Sequence, residues 1–232
     1  MSDGAVVGTG GLRELGRAYL RRRYAILFYT LLLTMVAAPV FAAFELKGSL
    51  IEFFLAANLL AAVMPVGAGR DRRILLAIIT VAWLARPATA WFDQTALSAM
   101  TLGMWTLIGL FAAAAALRFA MRATRVDAEH LYAALSAYLL AGIFFGNFYW
   151  VLQQIWPGTF AVTGDFSRMS AIYFSFVTIA TLGYGDIVPR SDVARGLAIV
   201  EGVGGQLFLA VMVARLVSLY GQGGPRARSQ AQ

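Results

Sequence analysis

The sequence predicts an all-α membrane protein in which a four-helix transmembrane unit precedes a separate two-helix module. Three observations carry that expectation. Hydrophobic residues make up 60% of the 232-residue chain, and charged residues only 13%, about half the share of an ordinary soluble domain. The apolar residues fall in long uninterrupted blocks rather than in short alternating runs. The last two blocks bracket an apolar stretch that is too short to cross a bilayer and ends in a run with alternating glycines.

Residues 1–23 form a basic arm with Arg13, Arg17, Arg21, Arg22 and Arg23. Gly8-Thr9-Gly10 is no phosphate loop, because no strand precedes it and Arg13 stands where the third glycine would be. Nor does the arm lead a cleaved signal peptide, since the next apolar block is too long and lacks small-residue cleavage chemistry. Residues 24–117 hold the four-helix unit. Its first span, 24–44, is about 21 residues, enough at about 1.5 Å each to cross a core of about 30 Å. The second, 50–66, carries Glu52, and the third, 74–92, carries Arg86. Opposite charges at matching depth lower each other's insertion cost, so a structural Glu52–Arg86 ion pair is expected. The fourth span, 96–117, is rich in Ala and Leu and contains no arginine.

Residues 118–129 read as a cytoplasmic connector, with Arg118, Arg122 and Arg125 at helical spacing past the end of the fourth span. Asp127, Glu129 and His130 suit a helix start at the membrane surface. Residues 130–220 form the second module, with spans at 130–152 and 194–220 and a short helix expected over 167–180. Residues 221–232 are rich in Gly, Gln and Arg, read as a disordered tail with no room for a nucleotide-binding gating domain.

Lysine and arginine placement sets the orientation. With the N-terminus inside, the cytoplasmic side collects 14 of the 19 basic residues: Arg13, Arg17, Arg21, Arg22, Arg23, Arg70, Arg72, Arg73, Arg118, Arg122, Arg125, Arg215, Arg226 and Arg228. Six spans return the C-terminus to the same side. Trp91, Trp150 and Trp156 then fall near outer ends, as an interfacial aromatic belt places them. The net charge of +7 is thereby a matter of topology, and no nucleic-acid partner is expected. With no cysteine and a single histidine, His130, thiolate sites, disulfides and multi-histidine metal sites are excluded. No nucleophile or polar pocket suggests an enzyme.

The run Thr181-Leu182-Gly183-Tyr184-Gly185-Asp186 concentrates the chemistry. Alternating glycines allow left-handed backbone angles, which let successive carbonyls face one side. A narrow ring of such carbonyls can replace the water shell of a cation. These six residues resemble the selectivity-filter signature of potassium channels, with Leu182 where Val is commoner. The wider module is similar to the two-helix potassium-channel pore module, in Tyr138-Leu139-Leu140-Ala141-Gly142 and in the run from Gly205 to Leu216. Four spans ahead of that module look like the six-helix bacterial channel family.

The resemblance implies an outer helix, a pore helix, a filter loop and an inner helix. Potassium ions would be bound by Thr181, Leu182, Gly183, Tyr184 and Gly185, with no other metal and no cofactor. Asp186, Tyr173, Thr178 and Glu201 would support the filter, Asp186 through Tyr173 of its own chain. Tyr173, Phe174 and Phe176 would form an aromatic cuff, the alternative being packing against the outer helix. Val177 stands where some members carry a carboxylate. Gly205, with Gly204 beside it, would be the gate hinge, although glycines in a membrane helix also serve close packing. One filter per chain implies a homotetramer around an axis.

The function expected is a passive potassium channel of a cell inner membrane, multi-pass, with both termini cytoplasmic and little intrinsic voltage dependence. The alternative is a membrane sensor or a potassium-uptake subunit whose pore rarely opens.

Overall fold

The computed structural model describes residues 22–43, 113–122 and 127–222. The expected second and third spans, Glu52, Arg86 and most of the fourth span lie outside the described residues, as do residues 1–21 and 223–232. Helix α1 spans Arg23–Ala43, α2 Ala128–Ile155, α3 Arg168–Ile179 and α4 Asp192–Gln222. Residues 113–121 are also helical. Among the described residues, α2 and α4 are long and apolar enough to cross a membrane.

Helix boundaries differ from expectation by up to a few residues, and two of the differences bear on the packing. The helix through residues 113–121 runs unbroken past position 117, into what reads as connector. Helix α2 begins two residues before His130, with Asp127 as N-cap, yet Asp127 makes no side-chain cap bond. Glu129 instead accepts the backbone N–H of Tyr24 at 3.1 Å, so the acid at the start of α2 satisfies an orphan donor of α1.

Small residues let three helices approach closely at one end of the structure. Ala113, Ala116 and Ala120 lie on one face of their helix, and Ala133, Ala134 and Ala137 on one face of α2. With Tyr24, Leu27 and Leu31 of α1 they form a buried cluster. Without a hydrophobic force between spans, van der Waals contact of this kind holds membrane helices together. Phe119 stacks between Tyr24, 4.5 Å away, and His130, 4.4 Å away with its ring plane 2° off parallel. The Arg23 guanidinium lies 5.2 Å from the Phe119 ring, a cation–π contact.

The second cluster surrounds α3. Tyr149, Leu152, Phe160, Ala171, Phe174, Ile187 and Ala194 are its buried members. The all-α expectation misses one element here: β1 (Phe160–Val162) pairs antiparallel with β2 (Ile187–Pro189), Phe160 opposite Pro189. Three-residue strands leave too little periodicity to be read from sequence. Pro189 is tolerated because it ends the pairing. The Thr159 carbonyl accepts the N–H of Arg190 at 2.8 Å and of Ser191 at 3.3 Å, closing the loop before α4.

Candidate filter and its support

The short helix α3 forms where expected. Ser167 caps it by accepting the N–H of Ser170 at 3.1 Å, which satisfies one of the orphan N-terminal donors. Arg168 Nε donates to Asn147 Oδ1 at 2.7 Å, and Asn147 Nδ2 donates in turn to the Ile143 carbonyl at 2.9 Å. The start of α3 is thus pinned to α2 by a charge-assisted bond.

Glycines set how closely α3 lies against its neighbours. A Cβ at Gly146 would come within 2.6 Å of the Ile172 Cα, and one at Gly142 within 2.6 Å of the Phe176 ring. Both pairs are spaced i, i+4, so one ridge of α3 seats on one glycine stripe of α2. On α4, a Cβ at Gly205 would meet the Ile179 carbonyl oxygen at 2.8 Å. Gly205 is therefore a close-approach residue in this structure, whereas Gly204 has open space around it. Phe174 and Phe176 pack toward β1 and α2 rather than around the following loop. Of the expected cuff, Tyr173 alone faces the run, its ring parallel to Tyr184 within 8° at 6.4 Å.

From Thr181 to Gly185 the backbone alternates in hand. Thr181, Gly183 and Gly185 have φ of 56°, 60° and 80°, and Leu182 and Tyr184 between them do not share the positive sign. Alternation of left- and right-handed residues turns each peptide plane over, so that successive carbonyls face one way instead of pointing to opposite sides as in a strand. Glycine accepts these angles freely. Thr181 does not, since a β-branched residue at positive φ is strained by about 1–3 kcal/mol, and sequence reasoning missed it. The strain is held by hydrogen bonds to the end of α3. Thr181 N–H donates to the Thr178 carbonyl at 3.0 Å, and Leu182 N–H to the Val177 carbonyl at 2.9 Å. Val177, where a carboxylate could stand, thus anchors the run through its backbone. Every side chain from Ala180 to Asp186 is exposed in the single chain.

The other expected support residues divide. Asp186 is joined to Tyr173 of the same chain by a side-chain hydrogen bond; the Tyr173 phenol is raised above its ordinary range first by desolvation and then by that bond. The hydrogen bonds of Glu201 go to α2 and α3. This residue lies one turn from Gly205 on the face of α4 that meets α3, and it is buried. Tyr149 Oη donates to Glu201 Oε2 at 2.7 Å, and Ser175 Oγ lies in hydrogen-bond contact with Glu201 Oε1 and at 2.6 Å from the Gly142 carbonyl. Tyr149 and Ser175 were not singled out from sequence, because a Tyr and a Ser in apolar helices carry no distinguishing pattern. Gly142 and Gly146 do carry one, the small-xxx-small spacing of close helix pairs.

Residues 133–222 match the family model described as an ion channel. The chain is also similar to two-pore potassium channel 4 of Arabidopsis thaliana, 46% identical over 50 residues, which are 22% of this chain and 18% of that protein. The match therefore spans less than a fifth of that relative's length. No solved structure matches the chain. With two helices able to cross a membrane, these matches support a helical membrane channel and not an enzyme.

Proposed function

We propose that the chain is one subunit of a passive, potassium-selective channel with little intrinsic voltage dependence. The observation that carries this reading is the alternating backbone at Thr181, Gly183 and Gly185. It turns a row of carbonyls to one side, as dehydrating a monovalent cation requires. In this reading the carbonyls of Thr181, Leu182, Gly183 and Tyr184 line the ion path, Gly185 lets it turn, and Thr178 and the Tyr173–Asp186 pair brace it. The similarity to a potassium channel supports potassium as the ion.

A carbonyl row on one side of one loop closes no path, so four copies around an axis are needed. The exposure of residues 180–186 and of Ile199, Val200, Val203 and Leu207 on α4 favours such a homotetramer in a bilayer. Both termini lie on the cytoplasmic side of a cell inner membrane in this reading. Opening bends α4 at Gly204 and Gly205. Weak voltage dependence follows from the arginine-free fourth span, with Arg118 and Arg122 exposed past its end. Few charges then cross the field, at about 2.3 kcal/mol per charge per 100 mV.

The test is a reversal potential and a voltage ramp on purified protein in a planar bilayer, with potassium opposed to sodium. Reversal near the potassium equilibrium value with a flat open probability is expected. Equal sodium permeability would refute the filter, and steep voltage dependence would refute the silent four-helix unit.

A further inference from the structure

The buried contacts around Glu201 have a definite hydrogen count. Among the described residues there are three of them: Tyr149 Oη to Glu201 Oε2, Ser175 Oγ to Glu201 Oε1, and Ser175 Oγ to the Gly142 carbonyl. Each needs one proton between its two oxygens. The phenol supplies one and the hydroxyl supplies one. The Gly142 carbonyl can only accept. An ionised carboxylate can also only accept, which would leave either Ser175–Gly142 or Ser175–Glu201 as two lone pairs facing each other inside the protein.

We propose that Glu201 carries a proton in the folded protein and acts as a positioning residue: its carboxyl donates to Ser175, Ser175 donates to Gly142, and α2, α3 and α4 are joined behind the filter run by one directed chain of hydrogen bonds. The chain begins at Tyr149, whose phenol donates to the second carboxyl oxygen. Its partners are neutral hydroxyls, and the surroundings agree with a neutral acid. From α2 the titratable groups facing it are Tyr149 and, at longer range, Tyr138, and from α3 the nearest polar group is Ser175. Among the described residues no cation bonds to it, and a buried carboxyl in such a setting is more stable neutral. Neighbouring contacts give this chain its mechanical consequence. Ser175 and Ile179 are one turn apart on α3, and Glu201 and Gly205 one turn apart on α4. The Ile179 carbonyl, two residues before Thr181, accepts from Tyr138 Oη at 3.2 Å. Ionisation of Glu201 would reverse or break the Ser175 link and loosen the helix that carries the run.

Only the consequence for conduction rests on the channel reading; the protonation itself does not. The first experiment is infrared spectroscopy of the purified protein in lipid at mildly alkaline pH, where exposed carboxyls are ionised. A protonated-carboxyl C=O band is expected. It should shift on labelling with isotopic glutamate, change frequency in Ser175→Ala, and vanish in Glu201→Gln. A wild-type spectrum without such a band would overturn the proposal.

The second experiment is rescue. A glutamine amide places a donor group and an acceptor oxygen where the neutral acid has its O–H and its C=O. Glu201→Gln should therefore keep thermal stability and hold potassium flux within about twofold of wild type. Glu201→Ala, which strands the Tyr149 and Ser175 hydroxyls, should lower flux by about tenfold or more. If glutamine fails as badly as alanine, or does not assemble, the acid is needed in its charged form and the proposal is wrong. Absence of potassium flux in the wild type would refute the channel reading while leaving the infrared band and the stability comparison to judge Glu201.

Discussion

Helices α2 and α4 are two apolar rods of similar length, 28 and 31 residues, and the structure treats them differently. In their most apolar stretches, 44% of α2 is buried within the chain but only 11% of α4. Helix α2 is covered on several sides, by α1 and residues 113–121 at one end and by α3 at the other. Helix α4 presses one stripe, Glu201 and Gly205, against α3, and turns Ile199, Val203, Leu207, Val213 and Val217 outward. Composition does not separate the two helices. Their surroundings do: the chain itself covers much of α2, whereas it leaves most of α4 uncovered, as the proposed homotetramer requires.

Substitutions test that contrast, and the largest effect is expected where α2 meets α3. Gly146→Leu drives a branched side chain into the Ile172 backbone, which sits where the Cβ would be. Overpacking costs about 1–3 kcal/mol, and more where the obstacle is backbone that cannot turn aside, as here. Size-exclusion chromatography in detergent should show loss of the assembled species. A normal profile would mean that α3 is not seated on the glycine stripe.

The second effect reads the free side of α4. Because the chain has no cysteine, Val203→Cys and Phe148→Cys each introduce a sole thiol. A flexible bismaleimide should join the Val203→Cys protein into covalent dimers and leave the Phe148→Cys protein, whose thiol lies on the outer side of α2, largely monomeric. Equal yields would erase the distinction between the helices.

A smaller effect is expected at Asn147. Asn147→Leu removes an acceptor of Arg168 at the start of α3. Loss of a hydrogen bond to a charged group amounts to about 1.5–3 kcal/mol, visible as a lowered midpoint of thermal unfolding. An unchanged midpoint would show that glycine packing alone places α3.

The smallest effect should come from Gly196→Ala on α4, where nothing lies within 4 Å of the added carbon. Helix propensity then stabilises by up to about 1 kcal/mol. A clear destabilisation would reveal a close neighbour in the assembly at that level of α4.

Some of this protein follows from its sequence alone. Apolar blocks at 130–152 and 194–220 are long enough to cross a membrane, so α2 and α4 could be anticipated to within a few residues. The shortness of the apolar run over 167–180 marked α3, because length is a local property. Gly183 and Gly185 announced left-handed angles, since few other residues adopt them without strain.

The rest is nonlocal. Thr181 takes a positive φ because the end of α3 holds its N–H and that of Leu182, which no propensity for threonine suggests. Gly205, read from sequence as a hinge with close packing as the alternative, meets Ile179 only once α4 is laid against α3. The pairing of Phe160–Val162 with Ile187–Pro189 joins three-residue segments across the whole of α3, a register that no local pattern encodes. Glu201 could be flagged as a charge in an apolar helix. Its partners, Tyr149 and Ser175, lie 52 and 26 residues away, and hydrogen bonds between such distant groups exist only after three helices have packed.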